Sequence, residues 1–251
     1  PYTTLFRSIK DAVLSHLTKV YSLNMYAKTK EITLTEEEYS KVSDAAEVYY
    51  KSLNRAERKY TGASRKDIEK MYEHYALAEK VYQQLMSGVD ENVSEDEARI
   101  MEANVIYVTD ASLAKDIATQ LKNGASFDRL ASTYSEADTI HVTFGRNTYD
   151  TAVEDVVFQL DNDEISDMIE AKDGYYFFEC VNKYNEELSE QNKATIVSQR
   201  QEKAMEDVTS AIETEYYSDF NQKLWDKITI DQNEKITTNS FFTTLDGKIV
   251  F

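Results

Sequence analysis

Apolar residues recur every three to four positions through most of this chain, but in its middle the rhythm gives way to short β-branched and aromatic runs. Val13, Leu14, Leu17, Val20, Tyr21 and Asn24 share one side of a helix predicted over residues 10–30. The stretch TLTEEEYSKVSDAAEVYYKSL opens with Thr35-x-x-Glu38. At that spacing hydroxyl and carboxylate each satisfy the other residue's backbone N–H. Tyr39, Val42, Ala46 and Tyr49 or Tyr50 form the stripe that follows. Gly62 then breaks the period, Ser64 caps, and Ile68, Met71, Tyr75, Ala78, Tyr82 and Leu85 make a second stripe that Gly88 closes. Ser94-x-x-Glu97 starts a further short helix.

From residue 103 the pattern reads strand (ANVIYV), helix (SLAKDIATQLKNG), short helix (FDRLASTYS), strand (IHVTFG), one or two helical turns (AVEDVVFQL) and strand (GYYFFECVNKY). This order describes a small α+β domain. Helical period returns from Glu187 to Trp225, with Val197, Ala204, Val208, Ala211 or Ile212, Tyr216, Phe220 and Leu224 on one side. So long a helix needs a surface to pack on, and the amino-terminal helices are the simplest one. The expected class is therefore α+β, with a helical domain assembled from both chain ends around an inserted α+β unit. Its parts are residues 9–97, 98–184 and 185–227, followed by an extended tail, 228–251, that adds a strand or wraps a surface.

Composition narrows the function. A net charge of −18 over 251 residues argues against nucleic acid and against adhesion to anionic lipid. Cys180 is the single cysteine, and His16, His74 and His141 lie far apart, so neither a disulfide nor a metal centre is expected, and no cofactor. No apolar run approaches the roughly 20 residues that span a bilayer. Residues 1–8, PYTTLFRS, match the translation of the end of a common sequencing adapter and are set aside. A leader or a lipid anchor would then belong upstream of Ile9.

Four stretches carry a resemblance: ANVIYV, AKDIATQLKNGASFDRLASTYS, FGRNTYDTAVEDVVFQL and EISDMIEAKDGYYFFECV. In order and spacing they resemble the parvulin-type (PpiC, rotamase) peptidyl-prolyl cis-trans isomerases over about residues 98–184. The flanking helices are similar in pattern to those of PrsA- and SurA-like extracytoplasmic foldases, which build a helical chaperone domain around a parvulin insert. The resemblance implies two histidines on neighbouring strands, a Cys or Asp after the second helix, and a pocket of Leu, Met and Phe. Here the histidine positions fall on Asn104 and Tyr176, and the Cys or Asp position on Ala137, with Asp138 one step away. The pocket positions fall near His141 and on Tyr149 and Val153, whereas Phe144, Phe158, Leu160, Gly174 and Tyr175 agree with the family's framework.

The resemblance thus implies an extracytoplasmic folding factor, in the cell envelope or secreted, that binds unfolded, nascent or proline-containing polypeptides through a degenerate isomerase domain. The peptide-binding set is Asn104, His141, Tyr149, Val153 and Tyr176, with Asp138 and His141 as substitute proton-handling groups. An active isomerase with an altered site is the alternative, because the reaction requires only that a twisted amide be favoured over a planar one. A non-catalytic helical scaffold is the second alternative.

Overall fold

The computed structural model describes residues 2–215, 220–228 and 235–245; of residues 2–8 it gives the backbone alone. The described residues divide into two compact units, one within 1–89 and 201–251 and the other 90–200. The first unit begins with α1 (Tyr2–Thr29) and α2 (Glu36–Ser52), then a short α3 (Arg55–Thr61) and α4 (Arg65–Ser87). Reciprocal side chain–backbone bonds cap three of these: Thr35 with Glu38, Asn54 with Glu57, and Ser64 with Asp67. Gly62 ends α3 at φ +63°, a left-handed conformation that costs a glycine nothing. Val42, Ala46, Tyr49, Ile68 and Tyr72 close one core between α2 and α4. Val20, Leu23, Ala27, Tyr75, Ala78 and Val81 close another between α1 and α4.

The second unit runs α5 (Glu95–Ala98), β1 (Ile100–Val108), α6 (Ala111–Lys122), α7 (Phe127–Tyr134), β2 (His141–Gly145), α8 (Thr151–Val157), β3 (Ile169–Glu170) and β4 (Tyr175–Asn182). Its strands form one antiparallel sheet in the order β2-β1-β4-β3. The sheet has a core on each face. Ile106, Val108 and Phe177 pack with Ile117, Phe127 and Leu130 of α6 and α7. Met101, Ala103, Val105, Phe178 and Cys180 pack with Phe144, Val153, Val157 and Phe158 on the other side.

The next helix, α9 (Glu186–Glu215), contributes to both units. In the sheet unit Ser189 accepts the N–H of Ile100 at 3.0 Å, and in the helical unit Val208 joins the α1–α4 core. Of the apolar side expected between Glu187 and Trp225, Val208 and Ile212 are buried, Tyr216 lies outside the described residues, and Leu224 is 61% exposed. After α10 (Gln222–Trp225), residues 235–245 lie against α2, α3 and α4 and end in α11 (Phe241–Thr244). The described part of the expected extended tail therefore includes a helical turn; residues 229–234 and 246–251 lie outside the described residues.

Candidate functional site

Strand parity decides which side chains can meet. In β1 and β4, Ala103, Val105, Tyr176, Phe178 and Cys180 face α8, whereas Ile106, Val108 and Phe177 face α6 and α7. The register pairs Asn104 with Glu179 and with His141, Val105 with Phe178, and Tyr107 with Tyr176.

On the α8 side the result is an aromatic face. Tyr149 meets Phe144, Phe178 and Tyr176 edge-on at centroid distances of 5.0, 5.4 and 5.9 Å. Tyr176 stacks on Phe178 at 6.0 Å, and Tyr107 lies 4.8 Å from Tyr176. Such offset and edge-to-face pairs each add about 0.5–1.5 kcal/mol beyond the area they bury. Ala137, Val142 and Ala171 border the cluster, and Val153 is buried beneath it.

The turn before β4 fixes the two tyrosine hydroxyls. The Tyr176 hydroxyl donates to the Asp173 carboxylate at 2.7 Å and the Tyr107 hydroxyl to the Asp173 carbonyl at 2.6 Å. Gly174, at φ +155°, makes this approach possible: a Cβ there would stand 2.7 Å from the Tyr107 ring and from the Val108 carbonyl oxygen. Desolvation first, and then the Asp173 carboxylate, push the Tyr176 hydroxyl well above its ordinary value. Burial alone raises Tyr149, and burial with the Asp173 and Glu136 charges raises Tyr107. All three phenols are therefore neutral near neutral pH. Tyr149 is held from behind, where its N–H donates at 3.1 Å to the carboxylate of Glu154, a buried residue of α8. Burial likewise raises the Cys180 thiol, which lies in the core as a small apolar group.

The residues singled out in the sequence fall into two groups. Tyr149, Val153, Tyr176 and Ala137 come together on the aromatic face. Asn104 and His141 do not join them; they meet each other on the opposite side of the sheet. There His141 Nδ1 lies 3.2 Å from Asn104 Oδ1, Asn104 Nδ2 donates to Glu179 at 2.8 Å, and His141 Nε2 lies 3.9 Å from Glu102. Asp138 is exposed. In the places where Asn104 and His141 were expected, the aromatic face carries their neighbours Val105 and Val142. A one-residue shift along a strand exchanges its faces, and the apolar alternation Met101, Ala103, Val105 was the signal that could have fixed the parity. Tyr107, also on this face, was missed in the same way.

Comparison with known proteins bears on the same stretch. The family described as Rotamase, PPIC-type PPIASE domain, matches residues 108–182. The chain is similar to Foldase protein PrsA 1 of Listeria monocytogenes serotype 4b (strain F2365), 32% identical over 120 residues, which cover 44% of this chain and 40% of that protein. The chain thus matches well under half the length of that relative. Among solved structures, PrsA from Bacillus cereus is 17% identical, with 98% of this chain and 92% of that one covered at a TM-score of 0.46. The parvulin of Nitrosopumilus maritimus is 25% identical over 33% of this chain and 95% of its own, at a TM-score of 0.29. Residues 108–182, which carry most of the aromatic face, thus match the PPIC-type peptidyl-prolyl isomerase domain of the parvulins, and 44% of the chain is similar to a PrsA foldase.

Proposed function

We propose that this chain is a foldase of the cell envelope or its exterior, one that holds unfolded or nascent polypeptides and whose parvulin domain binds them chiefly by shape and apolar contact. The observation that carries this reading is the aromatic face itself. Where the family resemblance implies imidazoles and a thiol or acid, this face presents Tyr176, Val105 and Ala137, and the hydroxyls of Tyr107 and Tyr176 are both committed to Asp173. Phenol rings offer a broad apolar surface with a polar rim, which suits sequence-tolerant contact with extended chain. In this reading the helical unit, built from both chain ends, supplies a second gripping surface. The net charge of −18 keeps the loaded complex soluble and favours basic segments of the bound polypeptide. A lipid anchor upstream of Ile9 belongs to the same proposal.

A second reading, residual isomerase activity, draws support from the desolvated character of the same face, because a dry aromatic surface favours a twisted amide, whose dipole is smaller, over a planar one. One pair of assays separates the two. Binding without catalysis predicts that the chain suppresses aggregation of an unfolded client while the cis-to-trans relaxation of a proline tetrapeptide proceeds at its uncatalysed rate. A relaxation rate above background that disappears on Tyr149→Ala or Tyr176→Ala establishes the isomerase instead. A chain that does neither removes both readings.

A further inference from the structure

Glu57 is 2% exposed, and a carboxylate so placed persists only where its oxygens are satisfied. One oxygen, Oε2, accepts the Asn54 N–H at 2.8 Å within the helix cap. The other accepts from a distant segment: the N–H groups of Thr237 and Thr238, each at 2.8 Å, and the Thr237 hydroxyl at 3.2 Å. The Asn54 side-chain amide donates to the Lys235 carbonyl at 3.0 Å. Three main-chain groups of residues 235–238 are thus held, with the threonine hydroxyls in support.

Three residues on, recognition changes character. The Phe241 ring sits among Tyr72, Tyr49 and Tyr75 at centroid distances of 4.7, 5.2 and 6.1 Å, and the Tyr72 hydroxyl donates to the Phe241 carbonyl. The Thr238 hydroxyl donates to that of Tyr49 at 3.2 Å. Yet no side chain in 235–245 is fully buried, and Phe242 is 43% exposed. A cavity of about 440 Å³ remains beside the segment, walled by Val42, Ala45, Val48, Ala76 and Leu245. A segment that completes a core buries its side chains and fills its space; this one is gripped by its backbone, by the Phe241 and Phe242 rings and by Leu245, keeps every side chain partly exposed and leaves room beside it.

We propose that Asn54, Glu57, Tyr49, Tyr72 and Tyr75 form a peptide-binding cradle, occupied in this structure by residues 235–245 as a displaceable intramolecular ligand. Its ligand class is an extended polypeptide that presents two successive free N–H groups and an aromatic side chain three residues beyond the second. A tethered segment competes at an effective concentration on the order of millimolar, so free ligands bind the intact chain weakly until the tether's anchor is loosened. The cradle lies within the helical unit and does not depend on the reading of the parvulin face.

The probe is a fluorescein-labelled peptide of residues 235–245, KITTNSFFTTL, titrated against the intact chain and followed by anisotropy. The Phe241→Ala chain is expected to bind it at least about tenfold more tightly than the unsubstituted chain does, because the resident competitor is weakened. Adding Glu57→Gln to that chain reverses the gain, and a peptide with alanine in place of the first phenylalanine does not bind. Hydrogen exchange on the unsubstituted chain provides an independent measurement. The N–H groups of Thr237 and Thr238 are expected to exchange faster than those of Tyr72 and Tyr75, and millimolar peptide is expected to accelerate only the former. Equal affinity in the two chains, exchange of residues 237–238 at the rate of the α4 core, or unfolding of the Phe241→Ala chain would each overturn the proposal and make the segment an ordinary part of the fold.

Discussion

At the residue scale the parvulin domain turns on which of two neighbours faces the aromatic surface. Asn104 and Val105 differ by one position, but Asn104 bonds to His141 and Glu179 on the α6–α7 side, whereas Val105 packs with Phe178 and is 2% exposed. Restoring the family's histidine pair therefore has two outcomes according to the site chosen. Val105→His with Tyr176→His places both imidazoles on the α8 side and is expected to raise proline-peptide isomerisation above the parent rate. Asn104→His with Tyr176→His separates them by the thickness of the sheet and is expected to give no rise above the parent rate. Kinetics on the two double variants, each shown to be folded by its far-ultraviolet dichroism, checks the parity directly. A smaller test concerns the hydroxyl: Tyr176→Phe keeps the ring stack and loses the Asp173 bond, a cost of about 0.5–1.5 kcal/mol in chemical denaturation. Tyr149, Val153 and Tyr176 stand out in the sequence by apolar or aromatic character that matches strand and helix periods, and the fold brings them to one face. The sequence misplaces Asn104 and His141 because polar side chains on a two-sided sheet do not announce their face.

At the scale of elements, the capping patterns at Thr35 and Ser94 are legible as spacings and the cap at Ser64 from the break at Gly62, and all three appear as bonded caps. The Asn54-x-x-Glu57 cap of α3 has the same form but does not stand out in the sequence, because the helix it opens has only seven residues and no apolar stripe. The two-residue strand β3 lies below any periodicity. The docking of residues 235–245 is equally hidden, since its anchor at Glu57 is made largely with backbone N–H groups that no side-chain pattern encodes. The same docking gives the element a pH response. Bonds from Asn54 and Thr237, and then Thr238, hold the Glu57 carboxyl below its ordinary 4.5. A group depressed in the fold contributes stability that is complete above its unfolded value and is lost as pH falls through its folded one. Acidification from neutral pH to well below the ordinary glutamate value is therefore expected to loosen the segment. Nuclear magnetic resonance shifts of the Thr237 and Thr238 amides should move toward disordered values over that window. In Glu57→Gln the same shifts should show no step there.

At the scale of the whole molecule, the cores fall into two separate pairs. The sheet unit has its own pair of cores, around Phe178 and around Ile106, and the helical unit has another pair, around Tyr72 and around Leu23; among the described residues no buried residue belongs to both units' cores. Cores that share no side chains have no packing reason to melt together, and single-transition behaviour is the property of one core. Two transitions are therefore expected in urea. The chain's single tryptophan, Trp225, lies in the helical unit, where the Lys10 ammonium stands 5.1 Å from its ring, so its fluorescence reports that unit alone. Tyr72→Ala, which empties a fully buried site in the helical unit, should lower the fluorescence transition by about 3–5 kcal/mol and leave the other in place. Phe178→Ala should do the reverse: the tryptophan signal keeps its midpoint, and the far-ultraviolet dichroism acquires an earlier step. If either substitution moves both transitions equally, the chain is one cooperative body and α9, which contributes residues to both units, is the element that couples them.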